Sequence, residues 1–167
     1  MPEVHLSAKT KNVFSLERII DAPAEKVFGS IFDITQRPRW MEGVKRIEMV
    51  TKDLINRVGT MHRCVITEKN NPVMVTEYAH IGNGEAELIE MDQKGTAGCR
   101  FKVDAINKDK TRLRIDMLVK RNPFVLIMFD LFMKNKLRKQ MERSLDNLNE
   151  YCKEPFVKRE LAVEDLN

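Results

Sequence analysis

Cysteine is scarce and scattered. The chain has 3, Cys64, Cys99 and Cys152, and they stand far apart. An odd, dispersed set makes neither a disulfide framework nor the close pair that zinc needs. All fall in apolar surroundings, so they read as buried thiols of a reducing compartment. No apolar run reaches the roughly 18 residues of a membrane span, and the opening MPEVHLSAKTK offers no apolar stretch to act as a secretion signal. The cytoplasm is therefore the expected location. An excess of one charge is also missing: 29 Lys and Arg against 25 Asp and Glu leave +4, spread along the chain, which gives no reason to expect a nucleic-acid partner. The spacings His-x-His, Cys-x-x-Cys and His-Glu-x-x-His do not occur, nor does a Gly-x-Gly-x-x-Gly loop or a Gly-x-Ser-x-Gly elbow. No metal or cofactor is expected on these grounds, and a hydrolase of the elbow type is excluded.

What is present suffices for one domain. Hydrophobic residues make up 43% and charged residues 32% of 167, enough to build a core. Residues 1–11 are polar and expected to be flexible, as is the weakly periodic tail 155–167, leaving a domain over 12–154. Asn12–Ile20 alternates as a strand. Pro23 suits a helix start, and Val27, Phe28, Ile31 and Phe32 follow at helical spacing, so Ala24–Asp33 is predicted as a short amphipathic helix. Pro38 allows one more helical turn before Trp40. Six further strands are predicted: Val44–Thr51, Val58–Thr67, Pro72–Ile81, Glu85–Asp92, Gly98–Ile106 and Thr111–Lys120. The links between most of them are short turn sequences such as Gly82-Asn83-Gly84, too short for parallel crossovers. From Pro123 no helix breaker occurs until Pro155, which predicts one helix of about 30 residues and ~45 Å. Its stripe is Leu126, Phe129, Met133, Leu137, Met141, Leu145, Leu148 and Cys152.

That order of elements, and the residues within it, resemble the START-like superfamily (SRPBCC, helix-grip), which includes birch-pollen allergens, polyketide cyclases and lipid-transfer domains. The segment Ile19–Val50 carries the resemblance, through Ala22-Pro23, Val27-Phe28 and Pro38-Arg39-Trp40, with Gly59-Thr60 opening a strand and the close FVLIMFDLFMKNKLRKQMERSLDNLNEYCKE. The resemblance implies an α+β helix-grip fold: a seven-stranded antiparallel sheet curved around a long C-terminal helix, with two short helices between strands 1 and 2. It also implies a space between sheet and helix that holds a hydrophobic or amphipathic small molecule, such as a lipid, a polyketide-like aromatic or a quinone. Fold resemblance does not select the chemistry. Three functions stay open: binding of such a molecule, a cyclase or dehydratase working with cavity residues, and a protein-interaction module like the chaperone activators of the superfamily.

Candidate residues follow from strand parity. His62 shares a face with Thr60, Cys64 and Ile66, opposite Arg63, and is expected to point inward. Tyr78 and His80 share parity with Met74 and Thr76. Arg18 shares parity with Phe14, Leu16 and Ile20, so it reaches the cavity or its rim if that face is buried; the other arrangement turns Val13 and Ile19 inward instead. His62, Tyr78 and Arg18 are the catalytic candidates, since such groups facing one cavity polarise a carbonyl or move a proton. Trp40 is either a structural plug or part of the cavity mouth. Phe101 and Met117 sit on inward parity of the last two strands, and Phe129, Phe132 and Met133 on the helix half that would close the cavity; together with Trp40, His62, Tyr78 and His80 they form the expected ligand-binding set. The run Phe124–Phe129 with Leu131, Phe132 and Met133 is apolar on every side and is followed by Lys134, Lys136, Arg138 and Lys139. More apolar surface stands there than packing on a sheet requires, and two readings stay open: a helix end buried between the sheet and loops with a solvated basic face, or a second buried surface against ligand, partner or a lipid headgroup layer. A monomer is favoured.

Overall fold

The computed structural model describes residues 9–52, 56–69 and 71–155. The terminal segments expected to be flexible fall, over 1–8 and 156–167, outside the described residues. The chain forms β1 (Thr10–Ile20), α1 (Ala24–Phe32), a single 3-10 turn (Ile34–Gln36), α2 (Arg37–Trp40), β2 (Arg46–Met49), β3 (Met61–Val65), β4 (Val73–Ile81), β5 (Glu85–Asp92), β6 (Ala97–Asn107), β7 (Lys110–Lys120), α3 (Pro123–Phe132) and α4 (Lys134–Lys153). The strands make one antiparallel sheet in the order β1-β7-β6-β5-β4-β3-β2. It is a meander from β2 to β7, with β1 returning beside β7. Short links dictate that order, because each can join only antiparallel neighbours.

One face of the sheet carries the core. Phe14, Leu16 and Ile20 of β1, Leu88 of β5, Phe101 and Val103 of β6, and Leu113 and Ile115 of β7 are buried against Val27 and Ile31 of α1 and Leu145, Leu148 and Cys152 of α4. Alternation along β7 accounts for this: Arg112 and Arg114 stay wet while Leu113 and Ile115 do not. A smaller cluster, Ile89, Met91 and Leu118 with Tyr78, occupies the opposite face.

Three elements depart from the sequence reading, the first being β2, which spans only Arg46–Met49 of the expected Val44–Thr51. Strand β3, Met61–Val65, is shorter than expected: Gly59, at φ 88°, closes a turn in which the Thr60 N–H donates to the Arg57 carbonyl at 3.0 Å, so the regular strand begins only after it. The C-terminal helix is not continuous. It breaks at Met133, at φ −116° and ψ −33°, between the bonds Met133 N–H to Phe129 C=O and Leu137 N–H to Met133 C=O, both 2.9 Å. No proline or glycine marks the break. On either side of it Phe129 of α3 and Leu145 of α4 both join the core.

Candidate functional site

The site is built where α2 crosses the sheet. Arg37 and Trp40 stand three residues apart on α2 and so share a face, and both are buried. Trp40 locks the corner: its Nε1–H donates to the Ser30 carbonyl at 3.1 Å. Arg37 turns its guanidinium over the inner face of the sheet. Nη1 lies 2.7 Å from Oε2 of Glu90, and the two side chains are only 3% and 2% exposed. The same nitrogen is 3.4 Å from Nε2 of His62, and Nη2 donates to the Ile31 carbonyl at 3.5 Å. The Phe101 ring lies beneath, its centroid 5.9 Å from the Arg37 Cζ.

Sheet register brings these groups together. Thr76, Glu90, Cys99, Met117 and Phe14 form one row across five strands, and Thr60 extends it, its carbonyl accepting the Thr76 N–H at 2.9 Å. His62 lies in the next row, opposite Met74. Glu90 owes its inward direction to the alternation Ala86, Leu88, Glu90 along β5. Gly98 holds β6 close at that point: a Cβ there would come within 2.0 Å of the Glu90 carbonyl oxygen.

Burial opposes the Arg37 charge, but the ion pair with Glu90 outweighs it and holds the guanidinium above its ordinary pKa. Burial lowers His62 to about 4; Glu90 opposes this and Arg37 adds to it. The ring is therefore neutral at pH 7. Because Arg37 can only donate, Nε2 accepts and Nδ1 carries the proton. Burial pushes the Cys64 thiol up despite Arg37 beside it, and drives Cys99 to about 12, so neither is a thiolate nucleophile.

Three side-chain atoms of this cluster have no hydrogen-bond partner: Nε of Arg37, Nδ1 of His62 and Oε1 of Glu90. Two are donors and one an acceptor. The set is suited to holding a polar group that both accepts and donates, such as a hydroxyl or a carboxylic acid. It is poorly suited to moving protons, since a permanently protonated guanidinium stands between the carboxylate and the imidazole.

Of the residues expected from the sequence, His62, Phe101, Met117 and Trp40 lie on this inner face or at its corner. Met117 receives the Cys99 Sγ–H at 3.7 Å, and Phe129 is buried in the adjoining core. Tyr78 and His80 are not brought to His62. A bulge between Thr76 and Tyr78 shifts the register, so Thr76 faces inward while Tyr78 turns to the opposite face, opposite Ile89, and His80 is exposed. Arg18 does lie on the Phe14–Leu16–Ile20 face, but it stops at the rim, 2.6 Å from Asp146 of α4. Phe132 and Met133 are exposed. Sequence reasoning missed Arg37 and Glu90. Arg37 was hidden as the residue before Pro38 in a helical turn; Glu90 was hidden because Ile89 and Met91 make β5 apolar on both faces. The available signal was a carboxylate at the parity of Ala86 and Leu88.

Among the described residues no cluster of His, Cys, Asp or Glu forms a metal site, and no helix is long and apolar enough to cross a membrane. Several solved structures share the fold. The hypothetical protein jhp0584 from Helicobacter pylori is 15% identical, with a TM-score of 0.67 over 83% of this chain and 86% of its own. Norcoclaurine synthase from Thalictrum flavum, in complex with dopamine and hydroxybenzaldehyde, is 13% identical, with a TM-score of 0.58 over 89% and 90%. Ara h 8.0201 is 11% identical, with a TM-score of 0.57 over 86% and 97%. The search of curated proteins gives no significant match. The profile of one family covers residues 12–153, nearly all of the described fold, and the chain therefore belongs to the polyketide cyclase / dehydrase and lipid transport family.

Proposed function

We propose that the protein binds a small hydrophobic or amphipathic molecule between the sheet and its helical cover, with the molecule's polar group held by Arg37, His62 and Glu90 and its apolar part against Phe101, Met117 and Met74. One observation carries this reading: three residues from three separate elements each keep an unpartnered polar atom in the same buried place. Stability does not account for such an arrangement. A buried ion pair is commonly replaceable by apolar residues without loss, and an unmet buried donor or acceptor costs about 1–3 kcal/mol. Methionines and a phenylalanine around a small polar cluster are the composition of a small-molecule site. The fold relative norcoclaurine synthase holds small aromatic molecules, which agrees with this use of the scaffold.

Native mass spectrometry of the purified protein, with extraction of organic-soluble material, tests the reading. The expected result is a stoichiometric small molecule carrying an apolar body and a hydroxyl or acid group. Failure to retain or take up any such molecule from a panel of fatty acids, fatty alcohols and phenols would overturn it.

A further inference from the structure

Helix α3 buries one side and leaves an apolar stripe on the other. Phe129 is buried and Val125 and Leu126 are half-buried, whereas Phe124, Ile127, Met128, Leu131 and Phe132 recur at i, i+3, i+4, i+7 and i+8 on the exposed side. Phe124 is 71%, Leu131 69% and Phe132 68% exposed. The helix is firmly started, with Asn122 Oδ1 accepting from the N–H groups of Phe124 at 3.0 Å and Val125 at 3.2 Å, so the stripe is held in place. Beside it a groove of about 410 Å³ runs between α3 and the start of β1, lined by Val13, Leu126, Ile127 and Leu131 with Lys11, Asn12, Asp130 and Lys134 at its walls.

Cations flank the stripe in sequence, and Lys11 and Lys134 line the groove beside it. From 120 to 141 the chain holds Lys120, Arg121, Lys134, Lys136, Arg138 and Lys139 against one carboxylate, Asp130, which is already paired with Lys134 at 2.7 Å; Arg138 is paired with Glu142, just past this stretch, at 3.3 Å. That stretch alone exceeds the +4 of the whole chain. We propose that the exposed face of α3 docks on an anionic lipid surface, with Phe124, Leu131 and Phe132 entering the headgroup–acyl boundary and Lys11 and the basic start of α4 facing the phosphates. Charge complementarity selects this occupant. A two-fold contact between copies would set the same patch against itself and bring cations onto cations, while an anionic bilayer accepts both the apolar stripe and its basic surround. This surface lies apart from the Arg37–Glu90–His62 cluster and goes beyond ligand binding.

Sedimentation with vesicles tests it, using the full chain with phosphatidylcholine alone and with phosphatidylcholine mixed with phosphatidylserine. The protein should sediment with the mixed vesicles, be released by salt, and leave neutral vesicles largely unbound. Leu131→Glu with Phe132→Glu should lower binding by at least about tenfold, and Lys11→Gln by about fivefold. Both variants alter exposed side chains and should keep the parent melting temperature, which is measured alongside. Equal binding to both vesicle types, binding to neither, or a concentration-dependent dimer lost in the double variant without vesicle binding would each overturn the proposal. None of these outcomes bears on whether native mass spectrometry finds a small molecule held between the sheet and its helical cover.

Discussion

Arg37 of α2 and Glu90 of β5, 53 positions apart in sequence, meet at 2.7 Å in a place where both side chains are almost wholly out of water. They join the helical cover to the middle of the sheet. His62 reaches the same guanidinium from β3, so the cluster ties together α2, β3 and β5.

Breaking the pair one-sidedly should be costly. Glu90→Gln leaves a buried guanidinium facing a neutral amide and is expected to destabilise by about 3–5 kcal/mol in chemical denaturation. The double change Arg37→Met with Glu90→Leu removes both charges and should lie within about 2 kcal/mol of the parent. A double variant that loses as much as the single one would show that the pair has a structural duty this account does not give it.

His62 should make stability pH-dependent. In the unfolded chain the ring titrates near 6.5, whereas burial above all holds the folded ring at about 4. Between those values the unfolded state binds the extra proton, so stability falls as the pH falls, and the full contribution is present only above about 6.5. The loss across the window is about 3 kcal/mol. Titration of the ring by NMR checks the folded value, and His62→Gln should flatten this part of the pH profile. A ring titrating near 6.5 in the folded protein would contradict its burial.

Gly98→Ala should displace the strand that carries Glu90. The added Cβ would meet the Glu90 carbonyl oxygen at 2.0 Å and Met91 Cα at 2.8 Å, and backbone cannot give as a flexible side chain does. A loss of at least about 1–3 kcal/mol is expected. Unchanged denaturation would mean that β5 and β6 have slack at this point.

The two halves of the C-terminal helical segment should respond differently. Leu148 is fully buried, and Leu148→Ala should cost about 2–5 kcal/mol. Phe132→Ala, on the exposed side of α3, should stay within about 0.5 kcal/mol. Paired melting curves decide. A large loss at Phe132 would place that ring against the protein instead of in solvent.

Much of the fold was legible because one sheet face is wet. Arg112 and Arg114 against Leu113 and Ile115 reveal β7, while the turn sequences Gly82-Asn83-Gly84 and Lys94-Gly95 mark the ends of Glu85–Asp92. The same alternation put His62, Phe101 and Met117 on the inner face. Legibility failed where the period is broken without a marker. The bulge after Thr76 contains no glycine, yet it reverses the facing of Tyr78 and His80. The break at Met133 likewise has no proline or glycine to mark it. Arg37 and Glu90 escaped notice since charged residues are ordinarily read as solvent-facing; only three-dimensional pairing makes their burial affordable.

The most direct test of the central claim is the affinity of cis-parinaric acid, a fluorescent amphipathic acid, for the parent and for the Arg37→Met, Glu90→Leu variant. Hydrogen bonds to charged groups contribute about 1.5–3 kcal/mol. If the cluster holds the ligand's polar group, the folded double variant should bind the probe at least about tenfold more weakly. Unchanged affinity in a variant with the parent's cooperative unfolding would mean that Arg37, His62 and Glu90 do not form the binding site.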